Sequence, residues 1–215
     1  MGEEGVKVKF TRIKTQIFAS MRKIICPFDR LIDKIPEHGY HLDLGCGYGI
    51  FCSFLSEKKP NIDITGIELD EKKIAIAHEN YANKHIHFFT GDATAIKATK
   101  EYDSITCIDL LHHIPSNYHE DVLRGVYSSL KDDGIVIIKD MDKQPFLKYL
   151  WNYIHDIVMT RSVHMYYISK QELVRLVEKS GFVLVEAQDI PNVLYAHYYI
   201  ICKKDQHGHS KEEPS

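Results

Sequence analysis

Five carboxylates, Asp43, Glu68, Asp92, Asp109 and Asp140, stand at or near the ends of short apolar runs, and His112 and His113 follow Asp109 closely. Gly45-Cys46-Gly47-Tyr48-Gly49 lies between the first two. Glycines crowded into the corner between an apolar run and a helical pattern allow a close backbone approach that a side chain would prevent. A strand, then G-x-G-x-G, then a helix turns backbone N–H groups and a helix N-terminus toward a ligand at the carboxyl end of a sheet. Glu68, about 20 residues further on, has the spacing of a carboxylate that accepts from ribose hydroxyls. Asp43 disfavours a dinucleotide: a carboxylate there repels a pyrophosphate and attracts an ammonium group. The third glycine also comes one residue sooner than in G-x-G-x-x-G. Ribose, adenine and an amino-acid end together describe S-adenosylmethionine.

The elements that must position these residues are legible as an alternation. Tyr40–Leu44 reads as a buried strand, Ile50–Lys58 as a helix stopped by Pro60, and Ile62–Glu68 as a β-branched strand. Glu71–Tyr81 is helical, and Ile86–Thr90 and Ser104–Asp109 are strands. Asn117, with Glu120 three residues on, predicts a capped helix reaching Lys131, and Gly134–Lys139 is the next strand. Strands separated by helices need crossovers, which makes the sheet parallel and covered on both faces. Ser169-Lys170-Gln171-Glu172 is a capping box that opens a helix closed by Gly181. Val183–Ile190 and Ala196–Lys203, joined by a turn near Pro191-Asn192, have no helix between them and are expected to pair antiparallel.

The 215 residues suit one domain, and 44 % hydrophobic residues is a globular composition. With 27 basic and 30 acidic residues the net charge is −3, which does not favour a nucleic-acid partner. Five cysteines without C-x-x-C spacing read as reduced thiols of a cytoplasmic protein. No apolar run reaches the roughly 20 residues of a membrane span. Residues 1–38 form a basic N-terminal extension, 39–204 the main domain with an insert at 140–168, and 205–215 a polar tail expected to be disordered. Within Val6–Asp33, basic residues alternate with Phe10, Ile13, Ile17, Phe18, Met21 and Ile24 at helical spacing. Such a helix either closes over the ligand pocket or lies on an anionic membrane surface.

Leu42–Gly49 (LDLGCGYG), Gly66–Asp70 (GIELD), Gly91–Ala93 (GDA) and Asp109–Ile114 (DLLHHI) together resemble the class I S-adenosylmethionine-dependent methyltransferases. The resemblance implies an α/β fold: a seven-stranded, mostly parallel Rossmann-like sheet with the last strand antiparallel and helices on both faces. It implies that Asp43, Gly45, Cys46 and Gly47 surround the methionine part of the cofactor, with Asp43 near its amino group. Glu68 would hold the ribose hydroxyls, and Leu69 would pack on the adenine. Asp92 would accept from the adenine amine, with Ala93 supplying a backbone contact. Asp109 would lie under the methionine end through its carbonyl. Asp92 has a plainer reading as well, as a cap for the turn that follows it.

Methyl transfer needs a general base only when the nucleophile arrives protonated. The candidates are His112, His113, Asp140 and Asp142; His112 and Asp140 are preferred, with His113 expected to turn under the sheet. No metal-ligand spacing is evident. The 140–168 insert carries Trp151, Phe146, Tyr149, Tyr153, Tyr166 and Tyr167 and reads as a substrate lid for a small-molecule or lipid-like acceptor. The competing readings are a catalytically inactive cofactor-binding subunit, a nicotinamide oxidoreductase, and a protein or nucleic-acid methyltransferase; the Asn/Asp-Pro-Pro-aromatic loop of nucleic-acid amino methyltransferases is replaced here by Asp109-Leu110-Leu111-His112.

Overall fold

The computed structural model describes residues 28–96, 102–160, 164–191 and 195–205. The elements are α1 (Phe28–Ile32), β1 (His38–Leu44), α2 (Ile50–Lys58), β2 (Asn61–Glu68), α3 (Glu71–Tyr81), β3 (Ile86–Thr90), β4 (Tyr102–Ile108), α4 (His119–Ser129), β5 (Leu130–Met141), α5 (Phe146–Thr160), α6 (Lys170–Lys179), β6 (Phe182–Ile190) and β7 (His197–Lys204). The seven strands form one sheet in the order β3-β2-β1-β4-β5-β7-β6. β7 runs antiparallel to both β5 and β6, and the other pairings are parallel. The order reverses between β1 and β4, so ligands are expected at the carboxyl edge there.

Two cores form because successive strand residues face opposite sides. Leu42, Leu44, Ile105, Val136, Ile138 and Tyr198 meet the side covered by α4 and α6. Ile62, Ile64, Phe88, Ile137 and Tyr199 meet the side covered by α1 and α2. Residues 28–35, expected as part of the N-terminal extension, pack into this second core through Phe28, Leu31, Ile32 and Ile35. Residues 1–27 of the expected N-terminal extension, the turn at Asn192 and the tail beyond Asp205 lie outside the described residues.

Local signals explain most boundaries. Asp70 caps α3 by accepting from Lys72 N–H. Ser169 and Glu172 form the reciprocal capping box of α6. The expected Asn117 cap is absent. Pro115 starts a tight turn over Ser116–Tyr118, and α4 begins only at His119, with no side-chain cap. The buried His119 ring then donates from Nε2 to the carbonyls of Leu111 (2.9 Å) and Ile114 (2.8 Å), which ties this corner to the loop after β4. α4 ends at Ser129 rather than Lys131, because Leu130 already pairs with Tyr102 as the start of β5.

Candidate functional site

Parallel pairing sets the carboxyl ends of β1, β2, β3 and β4 side by side. Asp43 is opposite Gly66 and Thr106, Glu68 is opposite Thr90, and Ile108 is opposite Lys139. One edge of the sheet therefore gathers Asp43, the glycine loop, Glu68, Leu69, Asp92, Ala93, Asp109, His112 and Asp140. This concentration of carboxylates suits a ligand that carries positive charge.

The loop after β1 is tight. Gly45, Gly47 and Gly49 all have positive φ. A Cβ at Gly49 would lie 2.6 Å from the Phe88 ring, so α2 can start against β3 only without one. A Cβ at Gly47 would meet nothing within 4 Å, which leaves open space in front of the loop for a bound group. The loop donors are not free, contrary to expectation. Gly45 and Cys46 N–H both donate to Ile67 C=O (2.8 and 3.0 Å), and Gly49 N–H donates to Cys46 C=O (2.9 Å). Gly47 N–H donates to Glu68 Oε2 (3.1 Å). The physical reason is that buried backbone donors find acceptors within the chain whenever a strand end and a carboxylate are close enough.

Glu68 also accepts from Asp70 N–H at 3.1 Å, and Lys73 Nζ lies 3.6 Å away. The carboxylate is thereby held at the mouth of the loop. Leu69 beside it is 66 % exposed, an apolar surface available to a flat ring. Asp92 caps the turn Ala93–Ala95 through Thr94 N–H and Oγ1–H, both 2.8 Å, so the plainer expectation for it holds. Cys46 is buried, with its Sγ turned beneath the loop against Gly66. Burial, then the charges of Asp43 and Glu68, push its thiol well above the ordinary range, so it stays protonated.

Asp43 is buried on the α2 side of the sheet and accepts from Thr106 Oγ1–H (2.8 Å) and the Cys52 thiol (3.3 Å). Asp109 is a non-glycine residue at φ 53. Its N–H donates to Lys139 C=O (2.9 Å), and the fully buried Lys139 ammonium donates to its Oδ1 (2.5 Å). A left-handed backbone costs about 1–2 kcal/mol outside glycine, and these two contacts hold it there. Sequence reasoning missed Lys139. The available signal was a lysine following an apolar run in a strand buried on both faces.

His112 is buried rather than facing open space, and it is His113 that is exposed, the reverse of the expectation that His113 turns under the sheet. His112 Nδ1 lies 2.5 Å from Asp140 Oδ1. Asp140 also accepts from Met141 N–H at 2.8 Å. Donation of Nδ1–H to the carboxylate leaves Nε2 as the lone-pair nitrogen whenever the ring is neutral. Tyr167 stacks on His112 (centroids 5.4 Å, 6° between planes), and Tyr149 of α5 meets Tyr167 edge-on at 5.3 Å. Tyr166 N–H donates to His112 C=O at 2.7 Å, which anchors the far end of the insert. Trp151 and Phe146, expected in the lid, lie on the outer face of α5 with Leu147, Leu150 and Ile154, and Trp151 is 45 % exposed. The covering layer is made by Tyr149 and Tyr167 instead. Beside it, Asp142, Gln144, Lys148, Lys170 and His197 line a cleft of about 870 Å³.

The sequence profile of the methyltransferase domain family matches residues 15–187, most of the chain. The chain belongs to the methyltransferase domain family. This family uses S-adenosylmethionine, and the open space at Gly47, the carboxylates at the strand ends and the exposed Leu69 fit that cofactor. The methyltransferase domain is 28 % identical over 108 residues to a ubiquinone biosynthesis O-methyltransferase of Pseudomonas fluorescens, covering 48 % of this chain and 45 % of that protein. The Aeromonas salmonicida protein of the same name is 26 % identical over 165 residues, covering 72 % and 66 %. The chain thus spans about half the length of the Pseudomonas relative it matches. Among solved structures, the PH0226 protein of Pyrococcus horikoshii shares the fold at TM-score 0.69 and 22 % identity, covering 87 % of this chain and 91 % of that one. The magnesium protoporphyrin IX methyltransferase of Synechocystis, solved with SAH bound, shares it at TM-score 0.64 and 17 % identity, covering 83 % and 82 %.

Proposed function

We propose that the chain is an S-adenosylmethionine-dependent O-methyltransferase of a small, hydroxyl-bearing apolar or lipid-like acceptor. The observation that carries this reading is the buried His112–Asp140 pair at the carboxyl ends of β4 and β5. A phenolic hydroxyl arrives protonated and needs a base, and Nε2 of a histidine oriented by a carboxylate is one. The cofactor, when bound, supplies an electrophilic methyl on a sulfonium. Asp43 would hold its ammonium end, Asp109 would lie under its methionine part, and the open space at Gly47 would leave room for it. Glu68 accepts from the ribose hydroxyls, Leu69 packs on the adenine, and Asp92 uses its second oxygen for the adenine amine. Tyr149 and Tyr167 cover His112 and exclude water from the transfer. The O-methyltransferases among the relatives support a small-molecule acceptor. The basic segment 6–25 suits contact with an anionic membrane surface, where a lipid-like acceptor would be met.

Transfer of labelled methyl from S-adenosylmethionine to a panel of alkylated phenols and catechols tests the acceptor class. Methyl ethers are expected on the apolar phenols. Label appearing only in added peptide or RNA overturns the reading. Glu68→Ala is expected to weaken binding of S-adenosylhomocysteine by about 1–3 kcal/mol, because two ribose hydroxyls lose a charged acceptor. Titration calorimetry measures this, and an unchanged Kd removes Glu68 from the ribose site.

A further inference from the structure

Three side chains, Ser104, His41 and Thr106, form a continuous hydrogen-bonded file leading to Asp43. His41 lies opposite Ser104, and Asp43 lies opposite Thr106, in the parallel register of β1 and β4. Alternation turns all four to the same face, where they are buried. Ser104 Oγ is 2.8 Å from His41 Nδ1, His41 Nε2 is 3.0 Å from Thr106 Oγ1, and Thr106 Oγ1 is 2.8 Å from Asp43 Oδ1.

Proton bookkeeping fixes the direction of this file. An ionised carboxylate only accepts, so the single Thr106 hydroxyl proton goes to Asp43. Thr106 Oγ1 must then accept from His41, which requires Nε2–H. Burial pushes the His41 pKa down to about 3, so the ring is neutral and Nδ1 is bare. Ser104 must therefore donate to Nδ1. Every donor in the file points the same way, toward the carboxylate. Cys52, near the start of α2, donates to the other oxygen of Asp43.

We infer that His41 and Thr106 are positioning residues for the cofactor: the file Ser104–His41–Thr106 fixes the Asp43 carboxylate so that it meets the amino-acid end of S-adenosylmethionine. The inference rests on the reading that Asp43 faces the cofactor's ammonium group. An unbroken file of neutral dipoles stabilises a buried negative charge without neutralising it, so the carboxylate keeps its charge for the ligand. A cation at the position of His41 would instead compete with the ligand for that carboxylate.

Two measurements on the full chain test this. In the first, nitrogen NMR of the unaltered protein carrying labelled histidine reads the His41 tautomer. Nε2–H with a bare Nδ1 is expected at neutral pH, and an Nδ1–H or doubly protonated ring overturns the inference whatever the variants do. In the second, calorimetry compares S-adenosylhomocysteine with 5′-methylthioadenosine, which keeps the adenosine and the sulfur and lacks the amino-acid end. Thr106→Val and His41→Leu should each weaken the first ligand by about tenfold and leave the second within about twofold. Thr106→Ser, which restores the hydroxyl, should recover the affinity. Equal losses on both ligands indicate packing alone and overturn the inference, as does no loss on either. Asp43→Asn separates the underlying reading. If it too weakens both ligands equally, Asp43 does not face the amino group and both fail. If it selectively weakens the first while Thr106→Val and His41→Leu do not, only the file's role fails.

Discussion

His112→Asn lowers kcat for a phenolic acceptor by a factor of about 10²–10⁴, the usual contribution of a positioned general base. The asparagine amide can still donate to Asp140, so the buried carboxylate keeps a partner and the fold is preserved, while the nitrogen lone pair is lost. The Kd of S-adenosylhomocysteine should be unchanged, because the proposed role of His112 is toward the acceptor's hydroxyl and not toward the cofactor. Asp140→Asn is expected to act in the same direction by a different route. Its amide favours the tautomer with the proton on Nε2, and such a ring cannot accept the hydroxyl proton. Steady-state and single-turnover rates with each variant check this. Unaltered turnover in both would make the pair a packing device and leave the transfer without a base.

The largest expected effect on stability belongs to Lys139. Lys139→Met leaves the Asp109 carboxylate, its side chain 8 % exposed, without its cation, and loss of one partner from a buried pair costs about 3–5 kcal/mol. The backbone of Asp109 also loses the contact that steadies it at positive φ. Adding Asp109→Gly to Lys139→Met should recover most of the loss, since the carboxylate that lost its cation is removed and glycine adopts that conformation freely. Urea unfolding of the two variants measures both steps. A loss below about 1 kcal/mol for Lys139→Met would show that the pair contributes little to the fold.

The edge of the sheet was readable where a signal is local. The span Glu71–Tyr81 follows from its apolar spacing, and the start of α6 from a capping box contained in four residues. Glycine spacing and the two acids placed Asp43 and Glu68 at adjacent strand ends, which the parallel register bears out. Relations between strands were not readable. Lys139 and Asp109 are 30 positions apart and meet only through the pairing of β4 with β5. The file from Ser104 to Asp43 likewise depends on a register that no stretch of either strand encodes alone. The two neighbouring histidines show the same limit. Their order gives no clue to which is buried, and Asp140 on the next strand settles it by drawing in His112. The internal pairing of the loop donors was missed because Ile67 and Glu68 come from a different strand.

The bond from Gly47 N–H to Glu68 bears on how fast the protein can recycle. After each transfer the spent nucleoside must depart before a fresh one can enter. With Glu68 as the ribose acceptor, departure returns its carboxylate to Gly47, so the loop exchanges one partner for another and strands no donor. In that role Glu68 would be both the ligand's anchor and its internal rival, and binding strength would reflect the difference between the two engagements. Such an arrangement would shorten residence time without loosening the bound geometry, and favour rapid exchange of product for fresh cofactor.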